Sequence, residues 1–205
     1  MATLFLVHGG LWEPMNTDRF WSTPGVLVGL EKLGFEVLAP DRPPVPDHWS
    51  QEVEHLAPLL PAQPAVLVGA SNGCSVAARL ALAYPESIDR LLLAWPATAG
   101  DPVVDRRTEQ GMRGRGADDA VIRELLTGET LRGITDEELA ALGMPAGVLP
   151  SVPENLVHQR RTVDALLKLL PGSRELPGCP EPPNPAFSPH LQELVGAIAA
   201  FAAAS

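Results

Sequence analysis

The chain has 205 residues, 45% of them hydrophobic, which is enough for one domain with a substantial buried core. Its formal charge is −10, with no basic block, so nucleic acid and an anionic membrane surface are excluded as expected partners. Two cysteines, Cys74 and Cys179, provide neither a disulfide framework nor a metal-ligand pattern.

In chain order, "TLFLVHGG" (3–10) reads as a buried strand ending in Gly-Gly; with no basic region ahead of it, it is a first strand and not a signal peptide. "TPGVLVGLEKLG" (23–34) predicts a helix with an early proline and a terminating Gly34. "FEVLAP" (35–40) is the next strand, and "DHWSQEVEHLAPLL" (47–60) a helix with Asp47 as its cap. "AVLVGA" (65–70) is a strand, followed by a helix beginning near Asn72 and a strand "IDRLLLAWP" (88–96). Residues 97–143 break the alternation. They are charged and Gly-rich, with helical pieces at 118–126 and 135–142, the second opening on a Thr135/Glu138 capping-box spacing. We read this stretch as a short cap inserted into a single domain spanning 1–205. "AGVLPS" (146–151) resumes the sheet, 159–172 is an amphipathic helix, "SREL" (173–176) a short last strand, and 189–204 the terminal helix. The 22 prolines concentrate at 39–47 and 176–190, which read as ordered, extended loops and not as linkers. Strands alternating with helices predict an α/β, doubly wound, mostly parallel sheet with helices on both faces.

The stretch "VGASNG" (68–73) carries the chemistry. A strand, then Gly-x-Ser-x-Gly, then a helix is the pattern in which small residues permit a sharp turn that presents the serine hydroxyl above the sheet. Ser71 is therefore the candidate nucleophile. The following helix directs its free N–H groups and positive end toward the reacting centre. A serine needs a histidine base and an orienting acid. Of the five histidines only His158 and His190 follow Ser71, and His190, in the loop before the final helix, is favoured. For the acid, Glu154 is the only carboxylate just past the 146–151 strand; Asp101, in the loop after the preceding strand, is its rival. Oxyanion donors are expected from the backbone of Asn72 and of Gly10 or Leu11 in the "HGGLW" loop. His8 is read as structural, Trp12 and Trp95 as candidate walls of an apolar substrate pocket, and the arginines at 106, 107, 113 and 115 as a solvated face.

Taken together, "LFLVHGG", "VLAPD", "VGASNG", the acid loop and "SPH" resemble the α/β-hydrolase superfamily over nearly the whole chain. The resemblance implies the doubly wound α/β-hydrolase fold and a Ser71–Glu154–His190 triad. It points to an esterase or thioesterase that acts on a small-molecule substrate through an acyl-enzyme; a cytoplasmic location is the default expectation from the charge and cysteine usage. No cofactor and no metal are implied. The same machinery also serves acyl transferases, lyases and cyclases, and a non-catalytic binding protein is the third reading. Oligomeric state is not legible.

Overall fold

A computed structural model describes residues 2–204. Six strands form one parallel sheet: β1 (Thr3–Val7), β2 (Glu36–Leu38), β3 (Ala65–Ala70), β4 (Ile88–Ala94), β5 (Ala146–Leu149) and β6 (Arg174–Glu175), in the order β2-β1-β3-β4-β5-β6. Strands β1 and β3 are buried along their whole length, as parallel strands covered on both faces must be. Alternation sorts their side chains. Leu4, Leu6, Val66, Val68 and Leu92 point to one face, where they meet α1 (Val26–Lys32) and α8 (Leu191–Ala202). Phe5, Val7, Leu67, Leu91 and Leu93 point to the other, against α2 (Trp49–Leu56), α3 (Gly73–Ala83) and α7 (Arg160–Leu169).

The chain runs outward from β1 to β2, then returns to lay β3 on the other side of β1. This reversal opens a crevice at the carboxyl ends of β1 and β3, where parallel sheets of this kind hold their ligands. The loop after β1 and the turn after β3 therefore face each other.

Between β4 and β5 the structure contains three helices, not two: α4 (Pro102–Arg113), α5 (Asp119–Leu125) and α6 (Asp136–Ala140). The sequence reading missed α4, whose charged composition and Gly111 obscure its period. Its signals are local: Asp101 accepts from the N–H groups of Val103 and Val104, and Pro102 occupies the first helical position. The Thr135/Glu138 capping box is present as expected. At α2 the cap is His48, whose Nδ1 accepts from Gln51 N–H, in place of the expected Asp47. The segment's apolar residues, among them Met112, Ile122, Leu131 and Leu139, join the core on the α2–α3–α7 side. No helix among the described residues is long and apolar enough to cross a membrane.

The two glycines around Ser71 have distinct steric reasons. A Cβ on Gly69 would lie 2.6 Å from the Gly73 carbonyl oxygen and 2.7 Å from the Ala77 Cβ, so its absence lets α3 descend onto β3. A Cβ on Gly73 would lie 2.5 Å from the His8 oxygen and 2.6 Å from the Val7 oxygen, so its absence lets α3 close on β1. Because these obstacles are backbone, they cannot give way. Gly73→Ala is expected to destabilise the fold by about 3 kcal/mol, at the upper end of overpacking costs, read as a lower urea midpoint at unchanged slope.

Candidate active site

Ser71 sits at the first position after β3 with φ +53°, a left-handed conformation strained for a residue with a Cβ. The turn is anchored by the Ser71 N–H donating to the Ala94 oxygen (3.0 Å). Its side chain is nearly buried yet opens on a cavity of about 310 Å³ lined by the 10–20 stretch, the 155–158 loop and the 181–184 loop. Residues 97–143 contribute nothing to that lining.

The histidine that reaches the serine is His158. Its Nε2 lies 2.9 Å from Ser71 Oγ, and its Nδ1 lies 2.5 Å from Glu181 Oε1. Burial alone would raise the Glu181 carboxyl; the hydrogen bond and charge of His158 override it and bring the group down to about 2. Glu181 is therefore an ionised acceptor facing His158 Nδ1, while Nε2 of the same ring faces the serine.

Backbone contacts on both sides set the imidazole in place. Val157 O accepts from Thr98 N–H (2.8 Å), and Gln159 N–H donates to Thr98 Oγ1 (3.1 Å), so one buried threonine grips the residues flanking His158. Asn155 Oδ1 accepts from the N–H groups of Val157 and His158, while its Nδ2 donates to Glu181 Oε1 (2.8 Å). One amide thereby links the base loop to the acid loop.

The other expected residues lie elsewhere. His190 is in a single helical turn (Ser188–His190) leading into α8, beside Glu193 (3.4 Å), and does not meet Ser71. Glu154 accepts from Arg160 N–H (2.7 Å) at the start of α7, and Asp101 caps α4 and pairs with Arg161 (2.8 Å). Both acids expected from the sequence are thus helix-terminal carboxylates, a role that draws them away from the crevice. Trp12 and Trp95 line no part of this cavity: Trp12 donates to Pro46 O (2.8 Å), and Trp95 is fully buried against Phe20 and Trp21 and donates to Cys179 O (2.8 Å). The apolar walls are instead Met15, Phe20, Val157 and Pro183.

Gly10 and Asn72 both line the cavity, and their backbone N–H groups find no protein acceptor among the described residues. The loop that carries Gly10 is fastened from behind. Arg42 Nη1 donates to three successive carbonyls, His8 (2.8 Å), Gly9 (3.2 Å) and Gly10 (2.9 Å), while its other nitrogens pair with buried Glu52 (2.6 and 2.8 Å). With the carbonyls turned to the guanidinium, the peptide N–H groups face the opposite way. Gly9 must remain glycine for the loop to pass Ser71, since a Cβ there would lie 2.9 Å from the serine Cβ.

Solved structures of three other proteins share this architecture across almost their whole length. An extracellular α/β-hydrolase from a Paenibacillus species is 13% identical with a TM-score of 0.74, covering 100% of both chains. NosK from Streptomyces actuosus is 18% identical, with a TM-score of 0.69 over 98% of this chain and 96% of that one. A meta-cleavage product hydrolase from Pseudomonas fluorescens is 17% identical, with a TM-score of 0.70 over 97% and 91%. The chain has the α/β-hydrolase fold. No family model and no curated protein sequence matches it.

On this α/β-hydrolase scaffold the expectation of an acid after the penultimate strand and a histidine after the last is reversed. His158 comes from the loop after β5 and Glu181 from the loop after β6. The available sequence signal was Glu181 itself, the only carboxylate in the proline-rich run 176–190 at the carboxyl end of the last strand.

His8 is buried and neutral. Burial, then the charge of Arg42, push its imidazole down to about 4, and its Nε2 accepts from Arg42 N–H (3.1 Å). Because the folded value lies below the unfolded 6.5, the unfolded chain binds the extra proton as pH falls from 6.5 to 4. Stability is expected to be full above pH 6.5 and to fall by up to about 1.4 kcal/mol per pH unit through that window. Urea titrations of wild type and His8→Gln across pH 4–7 test this; the variant should lack that share of the slope.

Proposed function

We propose that the protein is a serine hydrolase cleaving small carboxylic esters or thioesters through an acyl-enzyme, with Ser71 as nucleophile, His158 as base and Glu181 as its orienting acid. The observation that carries this reading is the unbroken chain of contacts Ser71 Oγ–His158 Nε2 and His158 Nδ1–Glu181 Oε1, at 2.9 and 2.5 Å, at the mouth of a cavity.

In this mechanism Ser71 Oγ bonds to the carbonyl carbon as its proton passes to His158 Nε2. The carbonyl π pair moves onto oxygen, which the Gly10 and Asn72 N–H groups receive. Collapse of the tetrahedral adduct breaks the carbon–leaving-group bond, and the proton on Nε2 goes to the departing alcohol or thiol. Water then attacks the acyl-serine while His158 takes its proton. Collapse of that adduct returns the proton to Ser71 Oγ and frees the acid. Glu181 stays ionised, compensating the imidazolium. Glu13 and Asn184 at the cavity rim are exposed, so water reaches the acyl-enzyme, which favours hydrolysis over transfer.

Turnover of 4-nitrophenyl butyrate with fluorophosphonate labelling tests the reading. Ser71→Ala should abolish labelling, and Ser71→Ala, His158→Ala and Glu181→Gln should each lower kcat by roughly 10³-fold or more. Glu154→Gln and His190→Ala should leave kcat within about twofold, as substitutions away from the site do. An unlabelled, inactive wild type would sink the hydrolase reading, and a binding role would replace it.

Cavity chemistry narrows the substrate. Its volume is about 310 Å³, its walls are apolar, and no lysine or arginine lines it; Glu13 and Glu181 are its carboxylates. Short, uncharged acyl groups fit this site, and anions meet only negative charge. Acetyl and butyryl esters are expected to exceed palmitoyl esters in kcat/KM. A hemisuccinate ester should fall below its uncharged butyrate counterpart by about tenfold at low salt, the gap narrowing as salt is added.

A further inference from the structure

We propose that Arg132 is a positioning residue for this site: its buried guanidinium holds the Asn72 side chain and thereby aims the Asn72 backbone N–H at the oxyanion. The inference rests on the hydrolase reading above and adds to it a residue from the stretch between β4 and β5, which otherwise contributes nothing to the cavity wall.

Three observations converge. Arg132 is 1% exposed; its Nη1 donates to Asn72 Oδ1 (3.0 Å), its Nη2 to Asp105 Oδ1 (2.9 Å) and Thr108 Oγ1 (3.4 Å), and its Nε finds no acceptor among the described residues. A guanidinium buried with one N–H unsatisfied is a poor choice for filling space, since an apolar side chain of similar volume would avoid that penalty. Second, Asn72 stands at the N-cap of α3, where an asparagine ordinarily accepts from the helix's first N–H groups. Here it makes no such bond, and its oxygen is turned to Arg132. Third, the loop that delivers Arg132 is built for close packing. Gly128, at φ +114°, bridges to Arg132, and a Cβ on Gly133 would run into the Trp49 ring of α2. Arg79 of α3 holds the Gly133 carbonyl.

The consequence for chemistry is geometric and electrostatic. Fixing the Asn72 side chain limits rotation of the Ser71–Asn72 peptide, whose N–H must already point at the oxyanion before charge develops. The guanidinium also places positive charge behind that peptide, in the same sense as the amino-terminal end of α3. Asp105, on α4, pins the far side of the guanidinium.

Arg132→Lys, Asn72→Ala and the double variant test this, with active sites counted by fluorophosphonate burst. Asn72→Ala keeps the backbone N–H and the whole of Arg132, so it remains informative if Arg132→Lys fails to fold. Each single variant is expected to lower kcat per titrated site by about tenfold, a fraction of the loss on removing an oxyanion donor outright, with KM within twofold. Affinity for a trifluoromethyl ketone, which forms an oxyanion on Ser71, should weaken by the same factor. The double variant should be no worse than the poorer single one. Unchanged kcat per titrated site in Asn72→Ala, whatever its melting temperature, would overturn the proposal and leave the hydrolase reading intact. A wild type that neither labels nor turns over would instead remove the reading on which it rests.

Discussion

The approach of α3 to the backbone of β1 and β3 governs most of what surrounds it. Gly69 and Gly73 remove the two Cβ atoms that would hold the helix off, and Ser71 between them takes the strained φ of +53° that such a short descent requires. Helix packing stabilises the strained residue from outside, because α3 is buried along most of its length between the sheet, α2 and the 128–134 loop. The serine backbone is thus held by core packing and by its own N–H to the Ala94 oxygen, and its hydroxyl meets His158 Nε2.

Around that turn the structure concentrates buried polar groups, and each acts on backbone geometry. Arg42, neutralised by Glu52, gathers the carbonyls of residues 8–10. His8, kept neutral, accepts from Arg42 N–H and so closes a ring of contacts between the loop after β1 and the loop after β2. Buried Thr98 and, from the surface, Asn155 hold the backbone of the loop carrying His158. Burying charge is unfavourable unless every partner is in place, and here Arg42 finds its partners in the 8–10 carbonyls after β1 and in Glu52 of α2.

The placement of His158 after β5 and Glu181 after β6 accompanies a difference in loop length and proline content. The loop after β5 is short and turns into α7 directly after His158, leaving the imidazole beside the β3–β4 edge where Ser71 emerges. The longer proline-rich loop after β6 doubles back across the carboxyl end of the sheet, held where Trp95 Nε1–H donates to Cys179 O, and it carries Glu181 behind the histidine before α8 begins. His190 follows in the turn that leads into α8, beside Glu193. A proton-transfer array needs distances and orientations, not a chain order, and neighbouring loops at one sheet edge can supply its members either way round.

Local sequence sufficed for whatever depends on local physics. The buried strands, the Gly-Gly end of β1, the Gly34 stop, the Thr135 capping box and the Gly-x-Ser-x-Gly turn are all set by side-chain period, backbone freedom and short-range hydrogen bonds. Together they determined the parallel α/β fold and singled out Ser71. The partners of Ser71 were not legible in that way. Glu154, Asp101 and His190 have the right residue types at plausible positions, yet Glu154 accepts from Arg160 N–H at the start of α7, Asp101 caps α4 and His190 faces Glu193. Trp12 and Trp95 stand beside the crevice in sequence but are turned into the core by their own hydrogen bonds. Which histidine meets the serine, which carboxylate meets the histidine and which arginine stands behind Asn72 depended on how loops 87, 23 and 60 positions apart in the chain meet at one sheet edge. Those contacts are decided by packing between distant segments, and only the tertiary structure contains it.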